Sequence, residues 1–196
     1  MENLLAQYLG TGKFIRVTRR QPSELRLHGY LLGLSGELAL MHTFDDFQPD
    51  GYTVFRIEDV LRVRCGSCEQ LWDHMLLSEG LLAGLKMPHR IELSNMRIAI
   101  LSIAAHYDQM IVECEDPDED VEDFYIGVVL KAGVRFLLFR HYDGAGYWVE
   151  KAPSIPLDEI TKVQFDNPYI RIFSKYTREG TPPDVPEDDE DDEDDD

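Results

Sequence analysis

Two stretches of the chain, about a hundred residues apart, carry the same order of apolar and polar positions. In the first, alternating apolar residues predict a strand through Leu27-His28-Gly29-Tyr30-Leu31, a second over Glu37 to Thr43, a loop from Asp45 that ends in a turn at Asp50-Gly51, and a closing strand in Ile57 to Val63. In the second, Tyr125-Ile126-Gly127-Val128-Val129 is followed by Val134 to His141, a Gly144-Ala145-Gly146 turn and Leu157 to Val163. Glycine inside each opening strand weakens pairing but permits a sharp bend or a close approach of two backbones.

Helical signals fall between and after these stretches. Residues 2–9 read as a short amphipathic helix, and Phe14 to Arg20 as a strand with three arginines. Ser67 followed by Gln70 is a capping-box pattern at the start of a helix whose apolar face is Leu71, Trp72, Met75 and Leu76, with Gly80 or Gly84 to end it. Ser94 to His106 reads as a linking helix, Met110 to Cys114 as the strand opening the second half, and Asp166 or Asn167 before Pro168 as the cap of a closing helix. The expected layout is a first lobe over 1–88, a helical linker over 89–109, a second lobe over 110–180 and an acidic tail over 181–196. Each lobe is strands followed by one helix, so the fold class is mainly β (α+β).

Charge changes the picture mainly at the end of the chain. The 196 residues carry a formal charge of -19, but Asp184 to Asp196 alone contributes 11 acids and no base. Such a composition does not bury enough surface to offset its chain entropy, so the tail is expected to be disordered. The rest is still net acidic, which argues against binding a phosphate backbone through clustered Lys and Arg and fits either a basic protein partner or charge that serves solubility alone. With 43% hydrophobic and 10% aromatic residues there is material for a globular core. Three cysteines, an acidic start and no long apolar run suggest a reducing, cytoplasmic setting without a membrane span.

The repeated apolar-x-Gly-x-apolar strand followed by a hairpin and a final strand pair resembles the Sm-like and SH3-like small barrels. With Leu157-Asp158-Glu159-Ile160-Thr161-Lys162-Val163 as its ending, the arrangement also resembles a group of bacterial proteins made of two such lobes joined by a helical segment. This resemblance covers about residues 14–176 and implies two tandem barrels with linking and closing helices. It implies no catalytic residue. The Sm pattern of RNA-contacting residues is interrupted at Val63-Arg64-Cys65-Gly66 and missing at Val163-Gln164-Phe165.

Little chemistry stands out. Cys65-Gly66-Ser67-Cys68 has dithiol spacing at a strand-to-helix junction, where a helix N-terminus lowers a thiol pKa, but as a zinc site it is half complete. Its bland alternative is a small core residue beside a first-turn residue. Tyr142 and Tyr147 are the aromatic residues best suited to an interaction surface, Tyr142 more so than the neighbouring Trp148, which is expected in the core. Asp188, Asp191 and Asp194 stand for the tail as a docking arm. The reading is a non-enzymatic acidic protein-binding module without cofactor, of inhibitor or immunity type, for a basic partner. An Sm-like RNA binder using Arg16, Arg19, Arg20, Arg62 and Arg64, and a redox or zinc protein using Cys65 and Cys68, are the alternatives.

Overall fold

The computed structural model describes residues 1–20, 26–82, 87, 89–115 and 122–180. The acidic tail, with Asp188, Asp191 and Asp194, lies outside them. Among the described residues the chain is mainly β, with ten strands in one antiparallel sheet of order β5-β1-β2-β3-β4-β10-β6-β7-β8-β9. The strands are β1 Phe14–Arg19, β2 Arg26–Leu34, β3 Leu38–Asp45, β4 Gln48–Arg56, β5 Val60–Arg64, β6 Met110–Glu115, β7 Glu122–Ala132, β8 Phe136–His141, β9 Ser154–Pro156 and β10 Lys162–Phe165. The helices are α1 Glu2–Ala6, α2 Ser67–Ser78, α3 Met96–Ala104 and α4 Pro168–Phe173. None of the described helices is long and apolar enough to cross a membrane.

The order within the first five strands is repeated by the last five: in each half the fifth strand pairs with the first, so the sequence is fifth, first, second, third, fourth. The repeated glycines explain one shared detail. A Cβ on Gly29 would lie 1.9 Å from the His42 carbonyl oxygen, and one on Gly127 would lie 2.0 Å from that of Arg140. Only hydrogen fits at either position. In both halves a bulge follows at the same spacing, between Leu31 and Gly33 and between Val129 and Lys131. Residues 98 apart thus occupy matching places on the second and third strands.

The halves join through β4 and β10, where Val54 pairs with Val163 and Tyr52 with Phe165. β3 is buried on both sides: Ala39 and Met41 pack with Ile15, Val17 and Phe55, while Leu38 and Leu40 belong to a second core with Met96, Ile100, Val112, Phe139 and Val163. A charged network closes the junction. Arg19 Nη2 is 2.7 Å from Glu115 Oε2 and donates to the Thr161 carbonyl at 3.3 Å, and Lys162 Nζ lies 2.6 Å from Glu113 Oε2 and 3.2 Å from Glu115 Oε1. Burial pushes the Glu115 carboxyl up, but Arg19, Lys162 and the Thr161 hydroxyl outweigh it and hold it below its ordinary range.

Several boundaries differ from the sequence reading. The hairpin from β3 to β4 turns at Asp46-Phe47, both with positive φ, whereas Gly51 lies inside β4 against the backbone of Phe165 and Asn167. Gly51 is glycine for that close approach rather than for a turn. The cap of α2 is Gly66, not Ser67: Glu69 Oε2 accepts from the Gly66 N–H at 2.7 Å, one residue out of register with the predicted Ser67 and Gln70 pair. Asn167 does cap α4, accepting from the Ile170 N–H at 2.8 Å, with Pro168 in its first turn.

Candidate interaction surface

Several matching positions in the two halves differ in burial, most of all on one face. Leu38 and Leu40 are covered, but their counterparts 98 residues on, Phe136 and Leu138, are 45% and 36% exposed. Leu32 packs against the large core, whereas its counterpart Leu130 is 52% exposed, and Val134 at the β7–β8 turn is 90% exposed. The cover on the first half includes the segment leading into α3 and strands of the second half, since Ile91, Leu93 and Met96, with Leu137, Phe139 and Val163, share a core with Leu38 and Leu40. Leu93 needs Gly33: a Cβ there would lie 2.8 Å from Leu93 Cδ1. The matching residue in the second half is Lys131, exposed on β7. Leu130, Val134, Phe136 and Leu138 therefore form an apolar sheet face with no covering segment among the described residues, a feature that marks interaction surfaces.

The aromatic residues singled out in the sequence are divided by the structure. Tyr142, read there as the better surface candidate, is 3% exposed. It is covered because α4 lies over it, with Phe173 stacked at 5.1 Å and Trp148 edge-on at 5.1 Å, and its hydroxyl is 3.0 Å from Gln109 Oε1. Trp148, expected in the core, is half-buried, with the Arg140 guanidinium 4.7 Å from its ring centre. Tyr147 is also half-buried, under Arg178 at 4.4 Å. In the first half Phe44 holds the place of Tyr142, and α2 covers that side through Trp72, which stacks on Phe47 at 4.3 Å.

Cys65 and Cys68 are both free thiols at the start of α2. Burial pushes the Cys65 thiol up, the opposite of what a nucleophilic or metal-bound thiolate requires. Cys68 is exposed, with Arg64 Nη2 3.8 Å from its sulfur. Cys114 is remote from the pair on β6, and burial raises it to about 12. No group of three or more His, Cys, Asp and Glu placed to hold a metal ion occurs among the described residues.

The five arginines of the RNA reading do not share one face. Arg16 and Arg64 are register partners on β1 and β5, next to the Thr18 and Arg62 pair. Both Arg16 and Arg64 lie 3.2 Å from the buried carboxylate of Glu69. Burial pushes Glu69 up, yet the Gly66 N–H and the two guanidinium groups hold it below its usual range. Arg19 points the other way, into the junction network, and only Arg20 and Arg62 of the five are fully exposed. Internal carboxylates thus already neutralise much of this cluster.

A polar pocket of about 440 Å³ brings together His28, Thr43, Asp50, Thr53, Lys162 and Gln164 at one edge of the first half. Burial lowers the His28 imidazole, and burial with the nearby Asp45 charge raises Asp50. The pocket offers both donors and acceptors to a polar ligand, but Lys162 is already held by two carboxylates. Sequence reasoning also missed a face-to-face histidine pair, His89 and His106, whose rings are 4.1 Å apart and 4° from parallel. No local spacing signals that contact. No protein-family model, curated protein or solved structure matches the chain.

Proposed function

We propose that the protein is a non-enzymatic protein-binding module built from two Sm-like or SH3-like small barrels, and that the outer face of β7 and β8 is its docking surface for a basic protein partner. The carrying observation is the exposure of Leu130, Val134, Phe136 and Leu138 beside their covered counterparts in the first half. The repeated strand order, the glycine pair Gly29 and Gly127, and the matched bulges support the two-barrel reading. An apolar face on a chain of strongly negative net charge fits a partner that is steered by charge and held by burial. The formal charge of -19 and the acidic stretch after Asp184 supply the steering. Inhibition or neutralisation of that partner, as immunity-type proteins perform, is the role this arrangement serves, in a cytoplasmic setting.

The test is a pull-down with the full chain as bait, washed at rising salt, alongside a chain ending at Gly180 and the variant F136S/L138S. The expected result is a basic protein that salt and removal of the tail weaken and that F136S/L138S no longer retains. Retention of the same protein by F136S/L138S removes the β7–β8 face from the reading, and capture of only neutral or acidic proteins, unaffected by salt, removes the basic partner.

A further inference from the structure

Three arginines line a cavity of about 340 Å³ at the junction of the two halves: Arg56 from the end of β4, Arg97 from the first turn of α3 and Arg135 from the β7–β8 turn. Arg56 is fixed as a wall, its Nε donating to the Ile160 carbonyl at 2.7 Å and its Nη2 to that of Leu157 at 2.8 Å. Arg97 donates from Nε to the Ala132 carbonyl at 3.2 Å, and Arg135 lies 5.7 Å from the centre of the Phe136 ring. Each guanidinium has five N–H donors, so both Arg97 and Arg135 keep donor capacity that these contacts do not use.

Glu37 and Asp158 line the same cavity, yet neither Arg97 nor Arg135 is within ion-pair distance of a carboxylate among the described residues. An internal salt-bridge network would have paired them. Arg56 has Glu58 Oε1 3.7 Å from its Nη1, so the guanidinium groups lining the cavity without a carboxylate partner among the described residues are those of Arg97 and Arg135. The start of α3 adds to the same sign: Asn95 Oδ1 caps the Ile98 N–H at 3.0 Å, while Met96 and Arg97, whose N–H groups have no partner within the helix, line the cavity.

We propose that this cavity binds a small phosphate-bearing molecule, with Arg97 and Arg135 holding the phosphate oxygens against the fixed wall of Arg56. The planar fork of arginine matches phosphate geometry through paired charge-assisted hydrogen bonds. Glu37 and Asp158, exposed and acceptor-only when ionised, suit hydroxyl groups on the rest of the ligand. The volume lies near the lower end of small-molecule sites, which run from about 300 to 1,000 Å³, so the ligand is compact. The cavity borders the docking face, since Val134 belongs to both and Arg135 lies beside Phe136, but phosphate binding here does not require the protein partner.

The experiment is titration of the full-length chain with inorganic pyrophosphate at constant ionic strength, followed by backbone amide resonances. Saturable shifts are expected at Met96, Arg97, Val134 and Arg135, with binding weakened about tenfold in R97Q/R135Q and unchanged in R62Q/R64Q. Arg56 is left intact because its carbonyl bonds brace the junction, and the remaining resonances of R97Q/R135Q show that it is folded. Absence of saturable shifts, unchanged affinity in R97Q/R135Q, or equal loss in R62Q/R64Q overturns the proposal. So does displacement of pyrophosphate by a peptide of residues 184–196 at lower concentration than pyrophosphate itself requires, because the site would then be one for an acidic chain segment.

Discussion

Arg19 and Glu115, 96 residues apart and both almost wholly buried, meet at 2.7 Å and tie the opening strand of one half to the opening strand of the other. Removing one member leaves a charge in a dry site, which is costlier than removing both. Arg19→Met is expected to destabilise the protein by about 2–4 kcal/mol, less than for an isolated pair because Lys162 still faces Glu115. In a double-mutant cycle by chemical denaturation, R19M/E115L should be more stable than the sum of its two single variants. Strict additivity would mean that the contact contributes no coupling.

The glycines of the repeated strands give a second prediction. Gly29→Ala and Gly127→Ala each drive a methyl group into a carbonyl oxygen about 2 Å away and are expected to cost about 3 kcal/mol or more in thermal unfolding. Gly36→Ala, with no atom within 4 Å of the new carbon, should stay within about 0.5 kcal/mol of the parent.

The unequal faces predict unequal costs for matching changes. Leu40→Ala removes a core side chain and is expected to lower stability by about 2–5 kcal/mol, whereas Leu138→Ala, at the corresponding exposed place, should change it by less than about 1 kcal/mol. Comparable losses at both positions would show that the β7–β8 face is covered in solution.

His42 sets a pH dependence. Its ring stacks on Tyr52 at 4.8 Å, it is 6% exposed, and burial pushes its pKa down to about 4. The unfolded chain therefore takes up a proton on this residue near pH 6.5 while the folded chain resists until about 4, so stability falls as pH drops through that window. His42→Phe should flatten the decline between pH 6.5 and 4 by up to about 3 kcal/mol in denaturation curves taken across it. His28, lowered by burial in the same direction, accounts for part of what persists.

Much of the fold could be read from local pattern. The paired glycines, the strands around them, and the Asn167-Pro168 start of α4 all follow from residue type and short spacing. Arg19 shows where the reading stopped: alternation places it on the side of Ile15 and Val17, its charge suggested a solvated face or an internal salt bridge, and nothing near it in the chain announces Glu115. Tyr142 failed for the same reason, because the residues that cover it, Phe173 above all, come from a helix some thirty positions later. The pairing of β4 with β10 and the meeting of Arg56, Arg97 and Arg135 are likewise products of long-range closure. The difference between Leu38 and Phe136 is the most instructive, since both are apolar residues at equivalent strand positions, but Leu38 alone lies in the core shared by residues 91–96, α3 and strands of the second half.

The path of residues 91–96 rests on Gly33, whose missing side chain leaves the hollow that Leu93 fills. At the corresponding place in the second half the chain carries Lys131, an exposed residue with a long charged side chain where the first half has none. A segment that seats an apolar side chain at Gly33 meets a charged one at the corresponding place in the second half, and the neighbouring apolar face stays open to contact of a different shape.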